Sequence, residues 1–132
     1  MNTITVAAAI ILNDQHQTLL ARKRGSSFFM QVGGKLEAHE QPEQSLLREI
    51  KEEIGVDATI LKDMGLIETV AANEANTLLR AHVYYVQLLG EPKADAELAE
   101  IRWVNVQLSE ALTLAPLTRE FIFPMIQQQL IE

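Results

Sequence analysis

The stretch that decides the fold is Gly34–Val56, GKLEAHEQPEQSLLREIKEEIGV. From Pro42 onward it takes on a helical period. Pro42 suits a first helical turn, where its missing N–H is not needed, Gln44–Ile54 continues the helix, and Gly55 suits a left-handed C-terminal cap. At the helical spacing, Leu46, Leu47, Ile50 and Ile54 fall within about 100° of one another and form the predicted core stripe. Glu49, Glu52 and Glu53 stand at i, i+3 and i+4 on a neighbouring face. Solvated like charges at that spacing repel by only a few tenths of a kcal/mol per pair, and the same spacing converges oxygen ligands on a hard divalent cation such as Mg2+. Arg48 and Lys51 offset part of the repulsion. Taken alone, the helix reads as an acidic face held in water.

Outward from the helix, the pattern is mixed. Thr3–Leu12 and Thr18–Arg24 read as strands joined by the turn Asn13–His16, and Gly25-Ser26-Ser27 breaks the second. Phe28–Val32 predicts a short strand running into Gly33-Gly34. Beyond the helix, Ala58–Val70 and Leu78–Leu89 read as strands around the polar loop Ala71–Thr77. Gly90–Asp95 is a turn region, Ile101–Val106 a further strand, Ser109–Leu112 a short helix, and Thr118–Ile131 a closing helix kinked at Pro124. No repeat or linker interrupts this order, so one α/β domain over residues 1–132 is expected.

Composition narrows the function. Of 132 residues, 48% are apolar and 22% charged, as in globular chains. Eleven basic against eighteen acidic residues leave a net charge of −7, which argues against a nucleic-acid polymer as partner but not against a small phosphorylated molecule whose site includes a cation. Six of the acids (Glu37, Glu40, Glu43, Glu49, Glu52, Glu53) fall within Gly34–Val56, so the chemistry is expected there. Without cysteine there is no disulfide, thiolate site or thiol nucleophile. The apolar run Val6–Leu12 is far shorter than the roughly 20 residues that span a bilayer, and the first basic residue, Arg22, comes too late for a signal peptide. A cytoplasmic protein with no membrane partner is the expectation.

Gly34, Glu40, Arg48, Glu49, Ile50, Glu52, Glu53, Gly55 and Val56 together fit G-x5-E-x7-R-E-U-x-E-E-x-G-U, with U aliphatic, at every specified position. This is the Nudix box, and the chain resembles the MutT-like Nudix hydrolases. The resemblance implies an α/β/α sandwich with a mixed sheet between helices. It implies Mg2+-dependent hydrolysis, with Mn2+ as a substitute, of a nucleoside diphosphate linked to another group, a nucleoside triphosphate being one candidate. By motif position, Glu49, Glu52 and Glu53 resemble the metal-binding carboxylates, with the Gly33 carbonyl as a further ligand. Arg48 resembles the residue that orients a box carboxylate, and Glu40 supports the loop–helix junction. The general base is either Glu49 or a glutamate of a later loop, for which Glu97 and, alternatively, Glu100 stand before Trp103. Lys23 and Arg24 resemble positions that contact substrate phosphate, and strand alternation allows only one of them to face the site; Arg22 shares the face of Arg24. Gly34 permits close backbone approach. A small nucleotide is the implied partner, and many relatives are homodimers. The rival reading is a nucleotide-sensing module without turnover, but such modules usually lose box carboxylates and none is lost here.

Several residues qualify this picture. Val32 replaces the Pro common before the Gly-Gly pair. Relatives that remove oxidised guanine triphosphates often carry an Asn after the Glu/Trp strand, whereas Leu114–Glu120 has none; Asn73 and Asn76 belong to another loop. Phe28 and Phe29 read as core before base-stacking groups, Trp103 as a sheet anchor, and Ala7–Ala9 either as room for a flat group or as packing beneath a helix. His16 and His82 have no partner pattern. His39–Glu43 is not a zincin motif, and Gly33-Gly34-Lys35 is not a P-loop.

Overall fold

At the centre of the computed structural model, which describes residues 1–107 and 111–128, lies β1 (Asn2–Ile11). Its alternating side chains divide the core. Ala7, Ala9 and Ile11 join one apolar cluster with Leu46, Ile50 and Ile54, while Ala8 and Ile10 join another with Leu117 and Ile122. The period of two puts helices on both faces. The small alanines let both layers approach, and Ala7 and Ala8 also line a cleft.

Around β1 run β2 (Thr18–Lys23), β3 (Val32–Lys35), β4 (Ala58–Val70), β5 (Thr77–Leu88) and β6 (Leu98–Val104). The four-stranded sheet has the order β3-β1-β5-β4. It is mixed, because β1 pairs parallel with β5 but antiparallel with β3, and β4 pairs antiparallel with β5. β2 and β6 form a separate antiparallel pair. Their register slips after Arg22: Arg22 lies opposite Glu100 but Lys23 opposite Leu98, which leaves Ala99 as the extra residue of a bulge.

α1 (Pro42–Ile54) begins at Pro42 and ends at Gly55, whose φ of +73° makes the left-handed cap and whose N–H donates to the Lys51 carbonyl. At its start the Gln44 side chain accepts the Gln41 N–H at 3.0 Å. Leu46, Ile50 and Ile54 are fully buried, but Leu47 is 39% exposed, which corrects the predicted stripe. The helix is rotated toward its other flank, so that Ser45 and Glu53 are buried instead.

Other expectations shift as well. The third strand is Val32–Lys35 rather than Phe28–Val32, because Gly33 and Gly34 pair with Ala8 and Ala7 instead of forming a turn. β6 starts at Leu98, three residues before the expected strand. The closing helix is a π-helical turn (Thr118–Ile122) followed by α2 (Phe123–Gln127). Pro124 has no N–H to give the Glu120 carbonyl and its ring would crowd that oxygen. The wider turn, in which the Phe123 N–H reaches the Thr118 carbonyl, opens the space. Part of Ser109–Leu112 and the end of Thr118–Ile131 lie outside the described residues. No helix among the described residues is long and apolar enough to cross a membrane.

Candidate active site

Glu53, from the acidic face of α1, lines a cleft of about 460 Å3 together with Gly33 and Gly34. Gly33 has a φ of +151°, and a Cβ there would run into the Ala7 carbonyl. A Cβ at Gly34 would run into the Glu49 carboxylate. Two glycines in succession are therefore what bring backbone amides and carboxylates together.

Glu53 is 7% exposed, and its Oε1 accepts the Gly33 N–H at 3.1 Å. Burial pushes its carboxyl up to about 7, and the Glu49 and Glu97 charges act in the same direction, against the Gly33 N–H and Lys23. Burial also raises Glu49, opposed by Arg48 and Lys23. Arg48 holds the acids in place. Its Nε and Nη2 donate to the two Glu40 oxygens at 2.7 and 2.9 Å, and its Nη1 donates to Glu49 Oε1 at 2.9 Å and to Glu52 Oε2 at 3.3 Å. Glu40 also accepts the Glu37 N–H at 2.8 Å, and these bonds, Arg48 foremost, hold its carboxyl at about 2. Glu40 thus ties the loop to the helix.

The remaining expected residues are spread around this centre. Lys23 and Arg24 both line the cleft, although alternation allowed only one of them. Lys23 is the one whose charge acts on Glu49 and Glu53, whereas Arg24 Nη1 donates to the Ala96 carbonyl at 2.7 Å. Arg22 pairs with Glu100 at 3.0 Å. Glu100 is engaged a second time by Arg102 at 3.1 Å, and both arginines hold its carboxyl below the usual range. Glu97 is exposed, in the turn that leads into β6. Phe29 is buried with the Arg102 guanidinium 5.0 Å from its ring centre, and Trp103 packs against the core.

Among the described residues, no three carboxylate, imidazole or thiolate groups converge on one point as they stand; Glu52 is turned to Arg48 with its side chain 53% exposed. The donor set nevertheless suits a hard cation. Glu53 is a buried carboxylate with a single hydrogen bond, Glu49 lies in the gap left by Gly34, and a divalent ion would offset the burial that chiefly raises both carboxyls.

The sequence reading missed the far wall of the cleft. Gln31 Nε2 donates to the Ala9 carbonyl at 2.8 Å and its Oε1 accepts the Thr118 hydroxyl at 3.0 Å, both side chains being buried. A Gln between Met30 and Val32 in the otherwise apolar stretch Phe28–Val32 was the available signal. At the rim, Ser26 Oγ donates to Asn73 Oδ1 at 3.0 Å, so the β4–β5 loop closes one side.

Known proteins place this arrangement. A family model for the NUDIX domain matches residues 1–125. The 8-oxo-dGTP diphosphatase of Haemophilus influenzae is 32% identical over 130 residues, covering 95% of this chain and 93% of that protein. The 8-oxo-dGTP diphosphatase of Proteus vulgaris is 41% identical over 70 residues, half of this chain and 60% of that one, so this match spans less than two-thirds of the relative. Among solved structures, the E. coli ORF135 protein superposes with a TM-score of 0.73 at 27% identity, over 98% of this chain and 90% of that one. The MutT protein of Methanosarcina mazei shares the fold, with a TM-score of 0.80 at 22% identity over 99% and 97% of the two chains. The chain belongs to the Nudix family and is a MutT-like hydrolase of phosphoanhydride bonds.

Proposed function

We propose that the chain is a Mg2+-dependent pyrophosphohydrolase that converts a nucleoside triphosphate to the monophosphate and pyrophosphate. The observation that carries this reading is the buried Glu53, bonded to the Gly33 N–H and lining a cleft with Gly33, Gly34 and Lys23, while Glu49 abuts Gly34. Glu49, Glu52 and Glu53, with the Gly33 carbonyl, would hold the cation. When bound, it supplies charge neutralisation to the phosphoanhydride oxygens and acidifies water. Arg48 keeps the Glu49 carboxylate aimed through their 2.9 Å bond, and Gly34 leaves room for it. Lys23 draws the phosphates in. Glu97 accepts the proton of the attacking water; Glu100 is the weaker candidate because two arginines occupy its oxygens.

The base of the nucleotide lies toward Gln31 and Thr118. The Gln31 amide is fixed at both ends, so it presents its remaining N–H and lone pair in one orientation, as recognition of a base edge requires. The names of the two diphosphatase relatives favour an oxidised purine, while the absence of Asn from Leu114–Glu120 favours another base. The test is a panel of canonical and oxidised nucleoside triphosphates, ADP-ribose, NADH and dinucleoside polyphosphates, followed by chromatography with Mg2+, with Mn2+ and with chelator. Metal-dependent pyrophosphate release from a triphosphate is expected. Cleavage of ADP-ribose or a dinucleotide instead would overturn the substrate class.

A further inference from the structure

We infer that Arg24 is a positioning residue whose guanidinium holds the Asp95–Glu97 turn in the shape that carries Glu97 past the Glu53 end of α1, rather than a ligand of substrate phosphate. The inference rests on the proposed role of Glu97 as proton acceptor. Ala96 has a φ of +51°, a left-handed conformation that a residue with a Cβ adopts only when its surroundings impose it. The surroundings that do so are visible. Arg24 Nη1 donates to the Ala96 carbonyl at 2.7 Å, and the Arg24 backbone N–H donates to the Glu97 carbonyl at 2.9 Å. On the other side, the Ala96 N–H donates to Asp95 Oδ1 at 2.7 Å, while the Asp95 N–H donates to the carbonyl of Glu53 at 2.9 Å.

The turn is therefore suspended between the end of α1, at the buried Glu53, and the end of β2, at Arg24. The bulge at Ala99 makes this possible, since it moves Leu98 opposite Lys23 and brings Glu97 level with Arg24. One of the five N–H donors of the guanidinium is engaged by the Ala96 carbonyl at 2.7 Å, which ties the side chain to the turn, and Lys23 is the cation whose charge acts on the acidic centre. An exposed hydrogen bond of this kind changes the population of the held conformation by a factor of about 3 to 10.

Two readouts test the inference. In the metal-free protein, amide hydrogen exchange of residues 95–97 is compared between the wild type and Arg24→Ala; exchange about 3- to 10-fold faster is expected, and unchanged exchange would overturn the inference. In Mg2+, kcat and KM are measured with dGTP, 8-oxo-dGTP and CTP. Arg24→Ala should lower kcat about 3- to 10-fold with little change in KM, and Arg24→Gln, which keeps an N–H donor but no charge, should recover part of that loss. The double variant Arg24→Ala/Glu97→Gln should be no slower than Glu97→Gln alone. A rise in KM shared by Arg24→Ala and Arg24→Gln, with kcat intact, would make Arg24 a phosphate ligand and overturn the inference. Should Glu97→Gln leave kcat unchanged while exchange still responds to Arg24, the assignment of Glu97 as proton acceptor is what has failed, and the positioning role falls with it.

Discussion

Glu53 is placed where a carboxylate is costly to the apoprotein, and the cost can be measured. Its carboxyl is raised from 4.5 to about 7, chiefly by burial. The neutral form is therefore preferred in the folded state, so stability is full below about pH 4.5 and falls as pH rises toward 7. At pH 8 the ionised group costs on the order of 3 kcal/mol, at 1.36 kcal/mol per unit. Glu53→Gln removes that charge, keeps an acceptor for the Gly33 N–H, and adds an amide N–H2 whose lack of partners costs about 1 kcal/mol. The variant should be more stable than the wild type by about 2 kcal/mol in chelator at pH 8, or about 6–10 °C in Tm for a chain of this size. At pH 5 the wild-type group is already neutral when folded, and the difference should nearly vanish. Thermal unfolding in chelator at both pH values is the assay. A variant no more stable than the wild type at pH 8 would refute the reasoning. Turnover should meanwhile fall by a factor on the order of 10² or more, since a ligand charge is lost, and Mg2+ should raise the Tm of the wild type but not that of the variant.

Three further outcomes follow from the geometry. Gly34→Ala meets only the movable end of Glu49 and should fold, with kcat down at least about tenfold, whereas Gly33→Ala presses on the Ala7 backbone at a φ of +151° and should lose about 3 kcal/mol or more in denaturant unfolding. Arg48→Lys gives up the paired bonds to Glu40 and the hold on Glu49; about 1 kcal/mol of stability and most of kcat should go. Glu100→Gln should retain kcat within about twofold, while Glu97→Gln should lower it by about 10² or more, a pair of steady-state measurements that separates the two later-loop candidates for the base.

The sequence was most informative where structure is local. The α1 boundaries at Pro42 and Gly55 follow from backbone chemistry within the helix, and Ala58–Val70 is read as a strand at the observed bounds, although its two register shifts are not visible locally. Long-range pairing was harder to see. Gly33-Gly34 looks like a turn until the backbone of Ala7 and Ala8 is set against it, and Leu47 looks like core until the helix turns to bury Glu53. The box carboxylates could be named through the resemblance their motif carries, but not their different surroundings: Glu53 buried, Glu52 drawn out to Arg48. Gln31 and Thr118 are 87 residues apart, and nothing near either one announces the other. The bulge at Ala99 likewise arises from the pairing of β2 and β6, and through it Arg24 comes level with Glu97.

The most direct test of the central claim is pyrophosphate release from nucleoside triphosphates by the purified protein, with and without Mg2+. The account predicts release that requires the cation, stops with chelator, and drops by about 10² or more in Glu53→Gln. Release that continues in chelator, or that survives Glu53→Gln at the wild-type rate, would contradict it.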